Sequence, residues 1–139
     1  MEKNSLQALE WLKAAKDDLD SIDYIIQAEH LTNIAAFHAQ QAIEKSFKAL
    51  MEHRKIAAIK THNLERLYLY VENLIQVDEE FLRLVNELYI ESRYPGDMGL
   101  LPHGKPTLED AREFHAFARD LFEQVCDLLE IDKDALREK

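Results

Sequence analysis

Glycine and proline are scarce in this chain, with three of each. That scarcity argues against a β-rich or loop-rich fold, which draws on both residues at its turns. All of them fall in one run, PGDMGLLPHGKP at residues 95–106. Cysteine is scarcer still. Cys126 stands alone, so neither an intramolecular disulfide nor a cysteine-based zinc site can be built. Its neighbours Val125, Leu128 and Leu129 predict a buried, inert thiol. No apolar stretch approaches the roughly 20 residues that span a bilayer, and no basic leader precedes an apolar run. The expectation is a cytoplasmic protein without membrane association. Positive charge is also short: 17 Lys and Arg against 27 Asp and Glu leave a net charge of −10. Broad non-specific binding of nucleic acid is thereby excluded, because it requires many phosphates to be neutralised at once. A local site stays open, since Lys45, Lys48, Arg54, Lys55 and Lys60 gather mid-chain while residues 108–139 are acidic.

What the chain has in quantity is helical periodicity. At 139 residues, 47% of them hydrophobic, it is expected to fold as one domain spanning residues 1–139, burying roughly 70% of its unfolded surface. A first helix is predicted over 5–29, with Leu6, Leu9, Leu12, Ala15, Leu19, Ile22 and Ile26 on one face and Ser5 as N-cap. Asp17, Asp20 and Asp23 on that helix read as a solvated face rather than a metal site. After a turn near 30–33, Thr32 or Asn33 is expected to cap a second helix reaching residue 54. A connection at 55–62 leads to a third helix over 63–76, with Thr61 and Asn63 as capping candidates. A fourth helix is expected over 79–93, ended by Pro95. The fifth starts at Thr107, with Asp110 at N3 in a variant of the capping box, and runs to about residue 131. No repeat or linker interrupts this order. The fold class predicted is all-α: an antiparallel four-helix-type bundle with five helical segments.

The second helix carries the most chemistry. At about 100° per residue, Ala36, Ala39, Ile43, Phe47 and Leu50 form its core arc. Phe37, His38, Gln41, Glu44, Lys45 and Lys48 form a second stripe. That stripe has two readings. It can bind a ligand, or Gln41, Glu44, Lys45 and Arg93 can form a buried polar network that fixes helix register, with Glu44 pairing Arg93 or a lysine. His62, at the expected start of the third helix, can meet an anion there or lock the loop by bonding a carbonyl. Arg93 stands beside the start of the Gly/Pro run and offers a planar fork suited to phosphate or carboxylate. The histidines at 30, 38, 53, 62, 103 and 115 are dispersed and lack metalloprotease spacing, so no metal site is expected.

FHAQQAIEKSFKAL in the second helix, THNL opening the third and RYPG ending the fourth resemble the HEPN family (higher eukaryotes and prokaryotes nucleotide-binding domain). WLKAAKDDLDSI is similar to that family's first helix. The resemblance implies an antiparallel helical bundle that pairs into a homodimer. It also implies nucleotide binding, a small nucleotidyltransferase partner in a toxin–antitoxin-like pair, or metal-independent cleavage of RNA. Cleaving members carry Arg and then His with four to six residues between them. Here seven residues separate Arg54 from His62, nine separate Arg93 from His103, and two separate Arg112 from His115. Arg112 and His115 are therefore the candidates for an atypical ribonuclease, with Arg stabilising a phosphate and His moving a proton. For nucleotide binding, Lys45, Lys48 and Arg93 would hold phosphates and Phe37 or Tyr94 would stack on the base. Gln40 and Gln41 would read its edge, with His62 beside a phosphate. The ligand expected is a nucleotide, and no cofactor is required.

Overall fold

The structure is a computed structural model that describes residues 3–57, 59–91, 106–132, 134 and 136. It bears out the all-α class. Helix α1 spans Lys3–Ile25, a 3-10 turn spans Glu29–Leu31, and α2 (Thr32–His53), α3 (Leu64–Leu69), α4 (Glu79–Glu91) and α5 (Leu108–Leu128) follow. No strand occurs among the described residues.

Helix α2 lies at the centre because its sequence allows neighbours on almost every side. Ala35, Ala36, Ala39, Ala42 and Ala49 are all buried, and small side chains let adjacent helices approach closely. Ala8 and Ala15 of α1 and Ala111 and Ala118 of α5 are buried in the same core. Ile43, Phe47 and Leu50 fill what the alanines leave open. Helices α1 and α2 run antiparallel, since Trp11 meets Lys48 while Asp18 meets Lys45 and His38. Phe81 of α4 stacks against Phe114 and Phe117 of α5, with ring centroids 5.6 and 4.8 Å away.

Local chemistry explains most element ends. Thr107 and Asp110 form the expected capping box at α5, and the Asn63 side chain accepts from the Arg66 amide at α3. Other expected ends are corrected. Ser5 lies inside α1, which stops at Ile25 rather than at residue 29. Neither Thr32 nor Asn33 caps α2. Leu31 holds that position without a side-chain bond, because the 3-10 turn leads directly into the helix. Helix α3 is six residues long, not fourteen. Residues 70–74 are turns, and the Tyr68 hydroxyl donates to the Ile75 carbonyl across them at 3.1 Å. Helix α5 closes at Leu128 rather than at 131. The expected end of α4 at residue 93 lies outside the described residues.

Two helix ends show the cost of having little glycine. Beyond α2, Lys55 takes φ 59°, its amide donates to Glu52 and the Ile56 amide donates to Met51. Beyond α5, Glu130 takes φ 56°, with the Ile131 amide donating to Cys126. Both are six-to-one closures of the kind glycine usually makes, and here residues with a Cβ bear the left-handed geometry.

Asn86 joins α3 to α4. It is 4% exposed; its Oδ1 accepts from the Leu64 amide at 2.8 Å and its Nδ2 donates to Asn63 Oδ1 at 3.2 Å. Replacing Asn86 with Ala strands a helix-start amide in the interior. The substitution is expected to lower unfolding stability by about 1–3 kcal/mol, with Asn86→Asp, which keeps the acceptor, losing less; denaturant titration with far-ultraviolet dichroism measures both.

Candidate functional site

The stripe on α2 is organised by two carboxylates. Asp18 of α1, 7% exposed, accepts from Lys45 Nζ at 2.7 Å and lies 2.8 Å from His38 Nδ1. Glu44 of α2, 4% exposed, accepts from Lys48 Nζ at 2.7 Å, and both its oxygens lie within 3.1 Å of His62 Nδ1. Each buried carboxylate is thus matched with one lysine and one histidine, which is what burial of such a charge demands. Spacing alone put Glu44 on an outward stripe. The structure buries it, because the segment carrying His62 folds back over α2.

Gln40 shows the same closure. It is fully buried, and its Nε2 donates to the His62 carbonyl at 3.4 Å. Its Oε1 accepts from Gln41 Nε2 at 2.6 Å. Glu44, Lys48, His62, Gln40 and Gln41 are therefore brought together. Lys45 belongs to the Asp18 group further along α2, and Phe37 sits beyond it, partly exposed, with its ring edge-on to His38 at 5.7 Å. Arg93 and Tyr94 lie outside the described residues. Of the four residues expected in one polar network, Glu44 pairs with a lysine, Lys48 rather than Lys45, Gln41 bonds Gln40 and Lys45 pairs with Asp18.

Beside this group opens a cleft of about 510 Å³. Trp11, Met51 and Ile59 give it apolar walls, and Lys48, Lys60, Thr61, His62 and Glu52 supply its polar atoms. Lys48 ties cleft to network: its ammonium bonds Glu44 and also stands 5.3 Å from the centre of the Trp11 ring, within the range of a cation–π contact. Sequence reasoning missed Trp11, Asp18 and Lys60 as members of the site. A lone tryptophan on an otherwise ordinary helix was the available signal.

Arg112 and His115 lie three residues apart on α5, and neither lines the cleft. Arg112 is exposed, whereas His115 Nε2 lies 3.2 Å from Arg119 Nη2 and 3.3 Å from Asp23 Oδ1. Arg119 also donates to both oxygens of Asp23 at 3.2 Å. Burial lowers the His115 pKa below its ordinary value, the Arg119 guanidinium lowers it further, and Asp23 opposes them in part. Among the described residues no group of three or more His, Cys, Asp or Glu side chains could hold a metal ion. None of their helices is long and apolar enough to cross a membrane.

Fold and site together define an all-helical bundle whose central helix carries a carboxylate-braced polar stripe next to an aromatic cleft. A family model for the HEPN domain matches residues 8–129. The chain belongs to the HEPN domain family. That membership supports a nucleotide- or RNA-related function in general terms, and HEPN domains often dimerise and bind RNA. No curated protein and no solved structure matches the chain.

The lowered His115 pKa has a signed consequence. Above the unfolded-state value of about 6.5 both states hold the ring neutral, and as pH falls below it the unfolded chain takes up the proton more readily. The His115 contribution therefore favours folding above that pH and is lost as pH falls through the lowered folded-state value. Melting temperatures measured from about pH 7 to pH 5 are expected to fall less steeply in His115→Gln than in the parent protein.

Proposed function

We propose that this HEPN domain is a binding module: residues 1–139 act as one helical-bundle domain that holds a nucleotide in the Trp11–Lys48 cleft, in the cytoplasm and as a homodimer. One observation carries the reading. A tryptophan ring and a lysine ammonium share the same cleft, 5.3 Å apart. An aromatic platform beside a cation is the pairing that base and phosphate require together. Glu44 supports it from behind, since its bonds to Lys48 and His62 hold both on the cleft side of the brace. Lys60 adds a second ammonium. The Asp18 group, with Lys45 and His38, continues the polar stripe along α2. In this reading the residues from the sequence that matter most are Lys48 and His62, with Gln40, Gln41 and Glu44 holding them in place.

The same domain is proposed to dock a small nucleotidyltransferase in a toxin–antitoxin-like pair. The ribonuclease alternative draws less support. It rests on Arg112 and His115, and His115 is engaged by Arg119 and Asp23 instead.

Nucleotides are expected to raise the melting temperature of the protein and to shift backbone resonances around Lys48 and His62. Lys48→Gln keeps a donor for Glu44 but removes the charge, and is expected to weaken binding roughly tenfold, or about 1.4 kcal/mol. If no nucleotide moves either readout, the nucleotide assignment is wrong. For the partner, co-expression with a nucleotidyltransferase encoded beside this chain's gene should give one co-eluting complex built on a dimer of this chain. Separate elution of the two proteins would remove that part of the proposal.

A further inference from the structure

Resting on the nucleotide-binding reading, we infer that the cleft takes a free nucleoside monophosphate and discriminates against magnesium-bound triphosphates. Two ammonium groups, Lys48 and Lys60, border the cleft, and two carboxylates answer them: Glu44, bonded to Lys48, and Glu52, on the cleft wall. The site is therefore close to electrically balanced inside a chain of net charge −10. A triphosphate would bring several negative charges into it, and the surrounding field repels them.

Triphosphates usually arrive with magnesium, which is bound through one or two carboxylates together with the phosphates. Glu44, behind Lys48, is 4% exposed and committed to Lys48 and His62, which leaves Glu52 as the one carboxylate among the residues lining the cleft. Among the described residues no group of three or more His, Cys, Asp or Glu side chains joins Glu52 to hold the metal. A single phosphate has a milder demand. Near neutral pH it carries between one and two negative charges, which the two lysines can match.

Thr61 completes the phosphate end. Its Oγ1 accepts from the Asn63 amide at 3.1 Å, which leaves the hydroxyl proton to donate to a phosphate oxygen. Glu52 is half-buried on the same cleft and accepts only, a partner for sugar hydroxyls or an exocyclic amine. The mostly apolar remainder, Trp11, Met51 and Ile59, suits a base, and stacking on an indole is tolerant of which base it is. The cleft's volume of about 510 Å³ falls inside the range of ordinary small-molecule sites.

Trp11 is the only tryptophan in the chain, so the site carries its own probe. The full chain is titrated with a nucleoside, its monophosphate, its triphosphate with and without magnesium, and a short single-stranded oligonucleotide. Tryptophan emission is followed, and calorimetry controls for absorption by the ligand. The monophosphate is expected to bind roughly tenfold tighter than the nucleoside or the triphosphate, with no dependence on magnesium. Thr61→Val and Lys60→Ala, both at the cleft, are expected to bring its affinity down towards that of the nucleoside. Tighter binding of the magnesium triphosphate or of the oligonucleotide would overturn this inference while leaving the nucleotide-binding reading in place. Equal affinity for nucleoside and monophosphate would also overturn it. Absence of binding by every ligand would overturn both.

Discussion

The structure turns on the Glu44 carboxylate. A carboxylate taken out of water is strongly unfavourable unless paired and hydrogen-bonded, and removing one partner from a buried pair costs about 3–5 kcal/mol. Glu44 meets that constraint with two partners from its own helix, Lys48 four residues on and Gln40 four residues before, and one from a separate segment, His62. The contacts within α2 are local, at the i,i+4 spacing that helix geometry brings together. The contact to His62 is not. It requires residues 59–62 to lie across α2, and so fixes where the connection to α3 runs. Gln40 reinforces the closure by donating to the His62 carbonyl. The cleft is a result of the same constraint, because Ile59, Lys60 and Thr61 become its wall opposite Trp11.

The Asp18 group repeats the device at the α1–α2 seam, again with one lysine and one histidine on a buried carboxylate. Here the carboxylate comes from α1 and both partners come from α2. A slide of one helix past the other by a turn would move Lys45 and His38 away from Asp18 and leave it unpaired. Apolar contacts through alanines are forgiving of such a slide, since small side chains at successive turns look alike to a neighbour. In the observed register Asp18 meets both Lys45 and His38.

Much of the fold was legible in the sequence, and the reasons differ by element. The core arc of α2 followed from spacing, and every one of Ala36, Ala39, Ile43, Phe47 and Leu50 is fully buried. Thr107 and Asn63 announced their helices through side-chain chemistry that acts within one turn. The length of α3 was overread because Val71, Leu74 and Ile75 keep apolar spacing through turns that bury the same side without a helix. The ends of α2 and α5 carried no glycine signal, since Lys55 and Glu130 occupy the left-handed positions. The site was legible only in part. Lys48, Glu44 and His62 could be named, but Trp11 and Asp18 join them through packing between α1 and α2, at sequence separations no periodicity reports.

The two readings of the α2 stripe, brace and ligand site, are compatible once exposure is considered. Glu44 and Gln40 are buried, at 4% and 0% exposed. Lys48 is partly open, with its side chain 18% exposed, and the His62 side chain is 55% exposed. A ligand anion would therefore meet groups already held by a carboxylate behind them, so little side-chain entropy remains to be lost on binding. The same arrangement limits what can bind. The Lys48 ammonium is shared with Glu44, so its attraction for a new anion is partly offset by the carboxylate that positions it, and recognition has to come from several modest contacts acting together. The Trp11 wall is then as important as the charge, because an apolar surface is the one part of the cleft whose attraction Glu44 does not weaken.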